Sequence, residues 1–483
     1  MVRHPQPDSE PTPMARPWQP VLAAGPIYRS LADAIAADIA AGVLRPGDRL
    51  PPQRTLAQAL GVDLTTVTRG YAEAVRRGLV QAETGRGTFV RGSGVRGSGV
   101  RGPASGAARD DGTAPELDLS MNLPPLPPGL QDQLAQSLTA LLRQPDGARL
   151  LSYQPSAGAD ADRQAGAAWL APLLPDLPVE RVLLAAGAQA ALAAILSTLA
   201  RAGDTVLTEA FTYPGLRAVA AQLGVRLQGL AMDAEGVLPE ALDAACRDGT
   251  PAAFCCTPTI QNPTTATMSP SRRAALAAIL RRFRLPLVED DAYGLLPAER
   301  QTPLAALVPQ QAWYIATLSK CLMPALRLAY VVVPEGRSNA RAQLALRAVQ
   351  QMPSPLASAL ASRWIGDGTA AACLEAVRKE AWARQSLAGL QLPAGRVAAD
   401  PAGHHVWLRL AGGNRADSTA ERMRRAGLAV VPGSAFAVAD APYEALRLSL
   451  GAAPDRISLG EALSRVADSL DAGGGQELPP DIV

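Results

Sequence analysis

The sequence has almost no lysine. Lys and Arg together number 46 among 483 residues, yet lysine stands only at Lys320 and Lys379. Arginine does not surrender its proton in a protein, so chemistry that needs a nucleophilic amine has two side chains to draw on. Cysteine is sparse too: Cys246, Cys255, Cys256, Cys321 and Cys373 form no C-x-x-C pair. Their odd count and scatter argue against a zinc cluster and against a disulfide framework, and they read as reduced core residues. Histidine occurs at His4, His404 and His405. The adjacent pair would point to opposite faces of a strand, so no shared metal is expected and all three read as structural. No apolar run is long and charge-free enough to cross a bilayer, and the first residues lack the apolar stretch of a signal peptide. The expected location is the cytoplasm, with no membrane partner. A net charge of +2 excludes a general affinity for polyanions, so any nucleic-acid site must be a local patch.

What is present divides into two folding units. The length exceeds what one hydrophobic core supports. Residues 1–25 are Pro-rich and aperiodic, which predicts a disordered tail, and residues 473–483 form a second tail. The run GSGVRGSGVRGPASG marks a flexible Gly/Ser/Arg linker over 92–116, with Arg96 and Arg101 available to phosphates. A small basic module, 26–91, precedes the linker. A long remainder, 117–472, alternates strand-like and helix-like segments as an α/β domain does, with a smaller subdomain expected at about 346–472.

In the small module, Tyr28, Leu31, Ile35 and Ile39 recur at helical spacing. A short helix is predicted from Pro52 to a stop at Gly61. A third helix, capped by Asp63, runs to Gly78 with Val67, Tyr71, Ala74 and Val75 inward. Two helices joined by so tight a turn predict helix-turn-helix. LVQAETGRGTFV then reads as two strands around Thr84-Gly85-Arg86-Gly87, a wing tipped by arginine. Residues 26–91 hold nine arginines against six acids, a net of +3, with Arg49, Arg54, Arg69 and Arg86 around the turn, third helix and wing. The stretches PGDRLPPQRTLAQALGV, TTVTRGYAEAVRRGLV and GRGTFV resemble the GntR-type winged helix. That resemblance implies a double-stranded DNA operator contacted by Arg49 and Arg54, by Thr65, Thr66 and Arg69 on the recognition helix, and by Arg86 with Gly87 in the minor groove. Leu64 departs from it, standing where many relatives carry a base-reading Arg, Ser or Asn.

The large domain offers motifs that are each weak alone and agree in order. RVLLAAGAQAALAAILSTLA is a buried strand leading through Gly187-Ala188-Gln189 into a helix whose free N–H groups suit a phosphate. GDTVLTEAFTYPG ends on Tyr213-Pro214-Gly215, an aromatic where a flat ring could stack. AAFCCTPTIQNPTTAT sets Asn262 in a loop after a strand, able to donate to a phenolate oxygen. PLVEDDAYGLL carries Asp290 and Tyr293 at a strand end, where open α/β sheets bind ligands. WYIATLSKCLMPALRLAYVVVP presents Thr317, Ser319, Lys320 and Arg327 between two β-rich segments: an imine-forming amine beside an anion clamp. Lys379, in EAVRKEAWARQ, reads as an exposed helix position.

This ordered set, G-A-Q, Y-P-G, Q-N-P-T, D-x-A-Y and S-K-x-x-x-P-x-L-R, resembles the fold-type I aminotransferases. Joined to a GntR-like module, the whole resembles the MocR family of regulators. The resemblance implies a mixed, mostly parallel sheet and pyridoxal 5'-phosphate held by Lys320 as an internal aldimine. It pairs Asp290 with the pyridine nitrogen, sets Asn262 and Tyr293 at the ring oxygen and stacks Tyr213 on the ring. Ala188, Gln189, Thr317, Ser319 and Arg327 would hold the phosphate. Tyr153, in LSYQPSAG, would reach the neighbouring subunit's phosphate, implying a homodimer, and Arg447, in ALRLSLG, would bind a carboxylate. Ala325 and Ala329 replace glycines usual in the motif around Arg327, which leaves effector size open. Two function classes follow: a regulator whose amino-compound effector forms an external aldimine at Lys320, or a working aminotransferase with an accessory DNA-binding module.

Overall fold

The computed structural model describes residues 18, 20, 26–40, 43–44, 48–76, 79–83, 87–90 and 115–473. Arg86, most of the expected linker with Arg96 and Arg101, and nearly all of both tails lie outside the described residues. The chain divides into two units, 1–103 and 104–483.

The first unit is a helix-turn-helix with a two-stranded wing. α1 (Ile27–Ala40) packs on α3 (Leu64–Arg76), and α2 (Gln53–Leu60) ends at Gly61 in a left-handed conformation. Leu31, Ile35, Leu56, Val67, Tyr71 and Ala74 fill its core. Asp63 caps α3, its Oδ1 accepting from the Thr65 N–H at 2.7 Å and the Thr65 hydroxyl at 2.6 Å. β1 (Val80–Glu83) pairs antiparallel with β2 (Gly87–Val90). One expected inward residue is not inward: Val75 is 41% exposed while Ala74 is fully buried. The stripe 67, 71, 74 already faces α1, and one further residue turns about 100° away from it.

The second unit opens with β3 (Leu117–Asp118) and then builds β4 (Val182–Ala185), β5 (Thr205–Glu209) and β6 (Arg226–Leu230). A short hairpin of β7 (Met232–Asp233) and β8 (Gly236–Val237) follows. After it come β9 (Ala253–Cys256), β10 (Leu287–Asp290), β11 (Ala312–Thr317) and β12 (Ala329–Val332). Seven of these form one sheet in the order β4-β12-β11-β10-β9-β5-β6. β12 is antiparallel to both neighbours, and every other adjacent pair is parallel. Six strands therefore share one direction. The alternation of side chains sends Leu183, Ala185, Ile315 and Val331 to one core and Val182, Leu184, Tyr314 and Tyr330 to the other. Burial on both faces is why β4, β9, β11 and β12 read as largely apolar runs.

β13 (Val397–Ala399), β14 (His405–Arg409), β15 (Leu428–Ala429), β16 (Val431–Pro432) and β17 (Ala445–Ser449) complete the strands. β13, β14, β17 and β16 make an antiparallel sheet over a separate core that includes Met423, Leu446, Leu459 and Leu463. The boundary of this subdomain differs from the expected 346. Leu346, Leu360, Trp364 and Val377 belong to the cores of the large sheet, and the helix Thr369–Gln391 reaches the smaller core at Leu387 and Ala388. At 1.5 Å per residue that helix is about 34 Å long, enough to run from one core into the other. Conversely, Leu119 lies in the smaller core, because β3 pairs in parallel with β15.

A Cβ at Gly451 would sit 1.9 Å from the Leu123 carbonyl oxygen, whereas one at Gly460 meets nothing closer than 3.6 Å. Gly451→Ala should therefore destabilise the full chain by about 1–3 kcal/mol through overpacking, while Gly460→Ala, inside the helix Arg456–Gly473, should be neutral or stabilise by up to about 1 kcal/mol. Urea unfolding of both variants checks the contrast, and equal effects would refute this account of Gly451.

Candidate functional site

Because six strands run the same way, their carboxyl ends and following loops gather along one edge of the sheet. That edge receives Gly187–Gln189 after β4, Tyr213 after β5, Asn262 after β9, Asp290 and Tyr293 at and after β10, and Thr317, Ser319 and Lys320 at and after β11. Arg327 arrives from the opposite direction, just before the reversed strand β12. The topology thus brings together eleven residues that the sequence separates by up to 140 positions. A small cavity there is lined by Glu209, Thr212, Tyr213, Cys255, Thr257 and Asp290, among others.

One corner suits an anion. Gly187 caps the helix Ala188–Leu199 with φ 88°, a conformation that favours glycine. A Cβ on Gly187 would lie 3.2 Å from Arg327 Nη2, so the guanidinium approaches the helix start closely. The helix presents unbonded N–H groups and its positive dipole end at that point. Thr317 Oγ1 lies 3.0 Å from Ser319 Oγ, and the Ser319 N–H donates to Thr317 Oγ1 at 3.2 Å. Gln189 Nε2 donates to the Gly215 carbonyl at 2.9 Å, which positions it against Tyr213, while its Oε1 is buried without a partner.

The amine and its counter-charges sit deeper. Burial, with the guanidinium charges of Arg447 and Arg327, pulls the Lys320 ammonium down to about 8 against the opposing pull of Asp290. Burial, Asp291 and Glu209 push the Asp290 carboxyl up to about 7. Asp290 Oδ1 has no hydrogen-bond partner. A buried carboxylate left this way calls for a cationic or N–H partner from a ligand. Glu209 is 1% exposed and held by the Thr257 N–H at 2.6 Å and the Thr208 hydroxyl at 2.9 Å; burial raises it as well. The sequence reading passed over Glu209, although an acid ending an apolar strand is the same signal that pointed to Asp290.

The far wall comes from the smaller subdomain. Arg447, on β17, is 7% exposed and stacks over Phe436 with its guanidinium carbon 4.9 Å from the ring centre. Its Nη1 donates to Asn262 Oδ1 at 3.1 Å, its Nη2 donates to the Ser120 carbonyl, and its Nε is buried and unpaired. Burial lowers it to about 10. Asn262 thus spends its oxygen on Arg447. Asn122, absent from the sequence reading, links the elements: its Nδ2 donates to the Tyr293 hydroxyl at 2.6 Å, and its carbonyl accepts from Lys320 Nζ. The histidines also belong to the wall. His404 Nε2 lies 2.9 Å from the Lys320 carbonyl and His405 Nε2 3.3 Å from the Gln261 carbonyl, and burial holds both rings neutral. No group of three or more metal-ligating side chains is found among the described residues. Tyr153 lies outside this cluster, 82% exposed, and Lys379 is exposed on its helix. All five cysteines are buried and free.

In the first unit, Arg54, Thr65 and Arg69 are exposed and Thr66 is half-buried around the α2–α3 turn, with Arg69 stacked on Tyr28 at 4.4 Å. Arg49 is exposed and bridges to Phe89 of β2. Gly87 begins that strand.

A planar ring with a cationic nitrogen on one side and a phosphate on the other fits this edge: the orphan Asp290 oxygen at one end, the Gly187–Arg327 corner at the other, and Lys320 between. Comparison with known proteins agrees. Residues 114–466 match the aminotransferase class I and II family, and residues 27–90 match the bacterial regulatory proteins of the gntR family. An uncharacterized HTH-type transcriptional regulator of Bacillus subtilis, YdeF, is 30% identical over 90% of this chain and 92% of its own length. The vitamin B6 salvage pathway transcriptional repressor PtsJ of Salmonella typhimurium is 30% identical over 89% of this chain and 96% of its own. Among solved structures, the Thermus thermophilus α-aminoadipate aminotransferase LysN, complexed with N-(5'-phosphopyridoxyl)-L-leucine, superposes with a TM-score of 0.67 at 27% identity. That match covers 74% of this chain and 92% of the other. The chain belongs to the class I and II aminotransferase family, its pyridoxal-phosphate-binding domain fused to a gntR-family DNA-binding domain in the manner of HTH-type transcription regulators.

Proposed function

We propose that the protein is a cytoplasmic, homodimeric regulator in which an amino compound captured at Lys320 changes operator affinity. The observation that carries this reading is the joining, in one chain, of a DNA-binding module to a site that holds an activated amine beside an anion corner. Pyridoxal phosphate bound there supplies a carbonyl carbon that condenses with amines and a ring that stores electrons. The residues divide the remaining work. Lys320 anchors the cofactor covalently, and its lowered pKa keeps much of the amine neutral and nucleophilic near pH 8. Asp290 keeps the ring nitrogen protonated, Asn262 and Tyr293 steady the ring oxygen, and Tyr213 covers one face. Ala188, Gln189, Thr317, Ser319 and Arg327 hold the phosphate, joined by Tyr153 from the partner subunit. Arg447 takes a carboxylate. Arg49, Arg54, Thr65, Thr66, Arg69, Arg86 and Gly87 meet the DNA.

A second reading has support in names alone: PtsJ and the pyridoxine biosynthesis regulator PdxR of Corynebacterium glutamicum are described as vitamin B6 regulators, so the cofactor itself would be the signal. Sustained turnover with ordinary amino donors would instead identify an aminotransferase.

Four outcomes are expected. Lys320→Ala should retain promoter binding while losing its response to cofactor and amines in a gel-shift titration; an intact response would overturn the proposal. Asp290→Asn should weaken cofactor binding by about 1.5–3 kcal/mol, roughly ten- to a hundredfold, the worth of a hydrogen bond to a charged group, read by equilibrium dialysis. The rate of cofactor capture should rise with pH through about 8, because only the neutral amine attacks. An ordinary lysine would place that rise near about 10.4. For the DNA face, Arg54→Ala should lower the slope of log affinity against log salt by about one.

A further inference from the structure

The exposed face at the start of α3 offers almost no hydrogen-bond donor to a base. The first ten positions of that helix, 64–73, hold a single cation, Arg69, and it is the start of a recognition helix that reaches base edges. Arg69 stacks over the Tyr28 ring of α1 at 4.4 Å, and the same ring holds Arg29 at 5.7 Å. At about 100° per residue, Arg69 lies roughly 140° around the helix from Leu64. Leu64 is 38% exposed, an apolar side chain of the first turn left in water. Thr65 and Thr68 are exposed beside it, yet each spends its hydroxyl proton inside the module. Thr65 Oγ1 donates to Asp63 Oδ1 at 2.6 Å, and the bonds from Thr65 hold the Asp63 carboxyl below its ordinary value, so it stays ionised and can only accept. Thr68 Oγ1 donates to Gln53 Oε1 at 2.8 Å and has the Leu64 carbonyl as a second acceptor at 2.9 Å. A hydroxyl has one proton. What the two threonines have left to offer a ligand is a methyl group and lone pairs. Ala72 and Val75, both exposed, extend the apolar surface along the helix.

In the major groove guanine presents two acceptors, N7 and O6, and is read by a pair of donors, most often from arginine or lysine. Thymine alone presents a methyl group, which apolar side chains and the threonine methyl contact, while adenine and cytosine present amino groups that a lone pair can accept. We propose that the start of α3 selects thymine: the operator half-site sets thymine methyl groups against Leu64 and Thr68, and no guanine is read from this helix. This deepens the DNA-binding reading above and rests on it. Arg49 and Arg54 supply attraction to phosphates, which is blind to sequence, and the choice of base comes from apolar surface taken out of water. Gln53 is a positioning residue here, tying the Thr68 hydroxyl to the start of α2.

The test lets the full-length protein select sites from a random duplex pool and then remakes the selected duplex with single bases changed. Uracil in place of thymine removes the 5-methyl group and keeps the pairing. Within the half-site, each such exchange at a contacted thymine should weaken binding roughly fourfold in a gel shift, and the same exchange outside the site should change nothing. Leu64→Ala should abolish the penalty at one position, so that uracil and thymine duplexes bind alike there. Thr68→Val keeps a methyl group and should retain the thymine preference, whereas Thr68→Ser should lose it. Leu64→Arg supplies a donor pair and should bring guanine into the selected site. Uracil duplexes that bind the wild-type protein as tightly as thymine duplexes overturn the inference. So does a selected guanine whose preference vanishes in Arg69→Ala, or a thymine preference that survives Thr68→Ser and is lost in Thr68→Val. Duplex binding without any selected sequence overturns thymine selection and leaves the module a phosphate binder, while a protein that binds no duplex overturns the DNA-binding reading along with it.

Discussion

Lys320 is a cation kept away from water by the edge of a sheet, and most of the surrounding structure is arranged about that cost. An isolated ammonium in an apolar interior shifts toward its neutral form. Here Asp290 opposes the shift, while Arg447 and Arg327 reinforce it. The balance leaves an amine that is neutral often enough to react and charged often enough to be held. Asp290 and Glu209 are subject to the same logic with the sign reversed: burial raises both, and Asp291 and Glu209 push Asp290 further. A ligand that brings a cationic nitrogen to Asp290 and a phosphate to Arg327 resolves both imbalances at once.

The sheet direction is what makes such a concentration of charge possible. Strand carboxyl ends hand their chains to loops at one edge, and each loop brings one or two polar side chains to a point ringed by apolar strand interiors. The reversed strand β12 lets Arg327 enter the same edge from the other side. The smaller subdomain closes the site with Arg447 and with a short segment that precedes the large sheet in sequence. Arg447 and the segment leading to Asn122 belong to elements that rest on a core of their own.

Much of this was legible in the residues. Gly187, Tyr213, Asn262, Asp290, Lys320 and Arg327 each follow or precede an apolar run, so strand-then-loop placement could be read directly. The cap at Asp63 and the stop at Gly61 were equally local. Val75 was misplaced because neighbouring apolar residues at 74 and 75 satisfy a helical stripe equally well until the partner helix is known. The subdomain boundary was misplaced because one helix serves two cores, and nothing in its periodicity marks the change. Asn122 carries no pattern at all: its importance lies in a carbonyl oxygen, which every residue has.

By itself the sequence determined the two-unit organisation and nominated one amine and the polar residues at strand ends as candidates, because each depends on residue type and on periodicity along a strand or helix. Only the tertiary structure decided which of these meet, that Glu209, Asn122 and the two histidines stand among them, and that Lys320 and Arg447 bond to one short segment. Those outcomes depend on strand order, subdomain docking and backbone carbonyls, which are set by burial of surfaces distant in the chain.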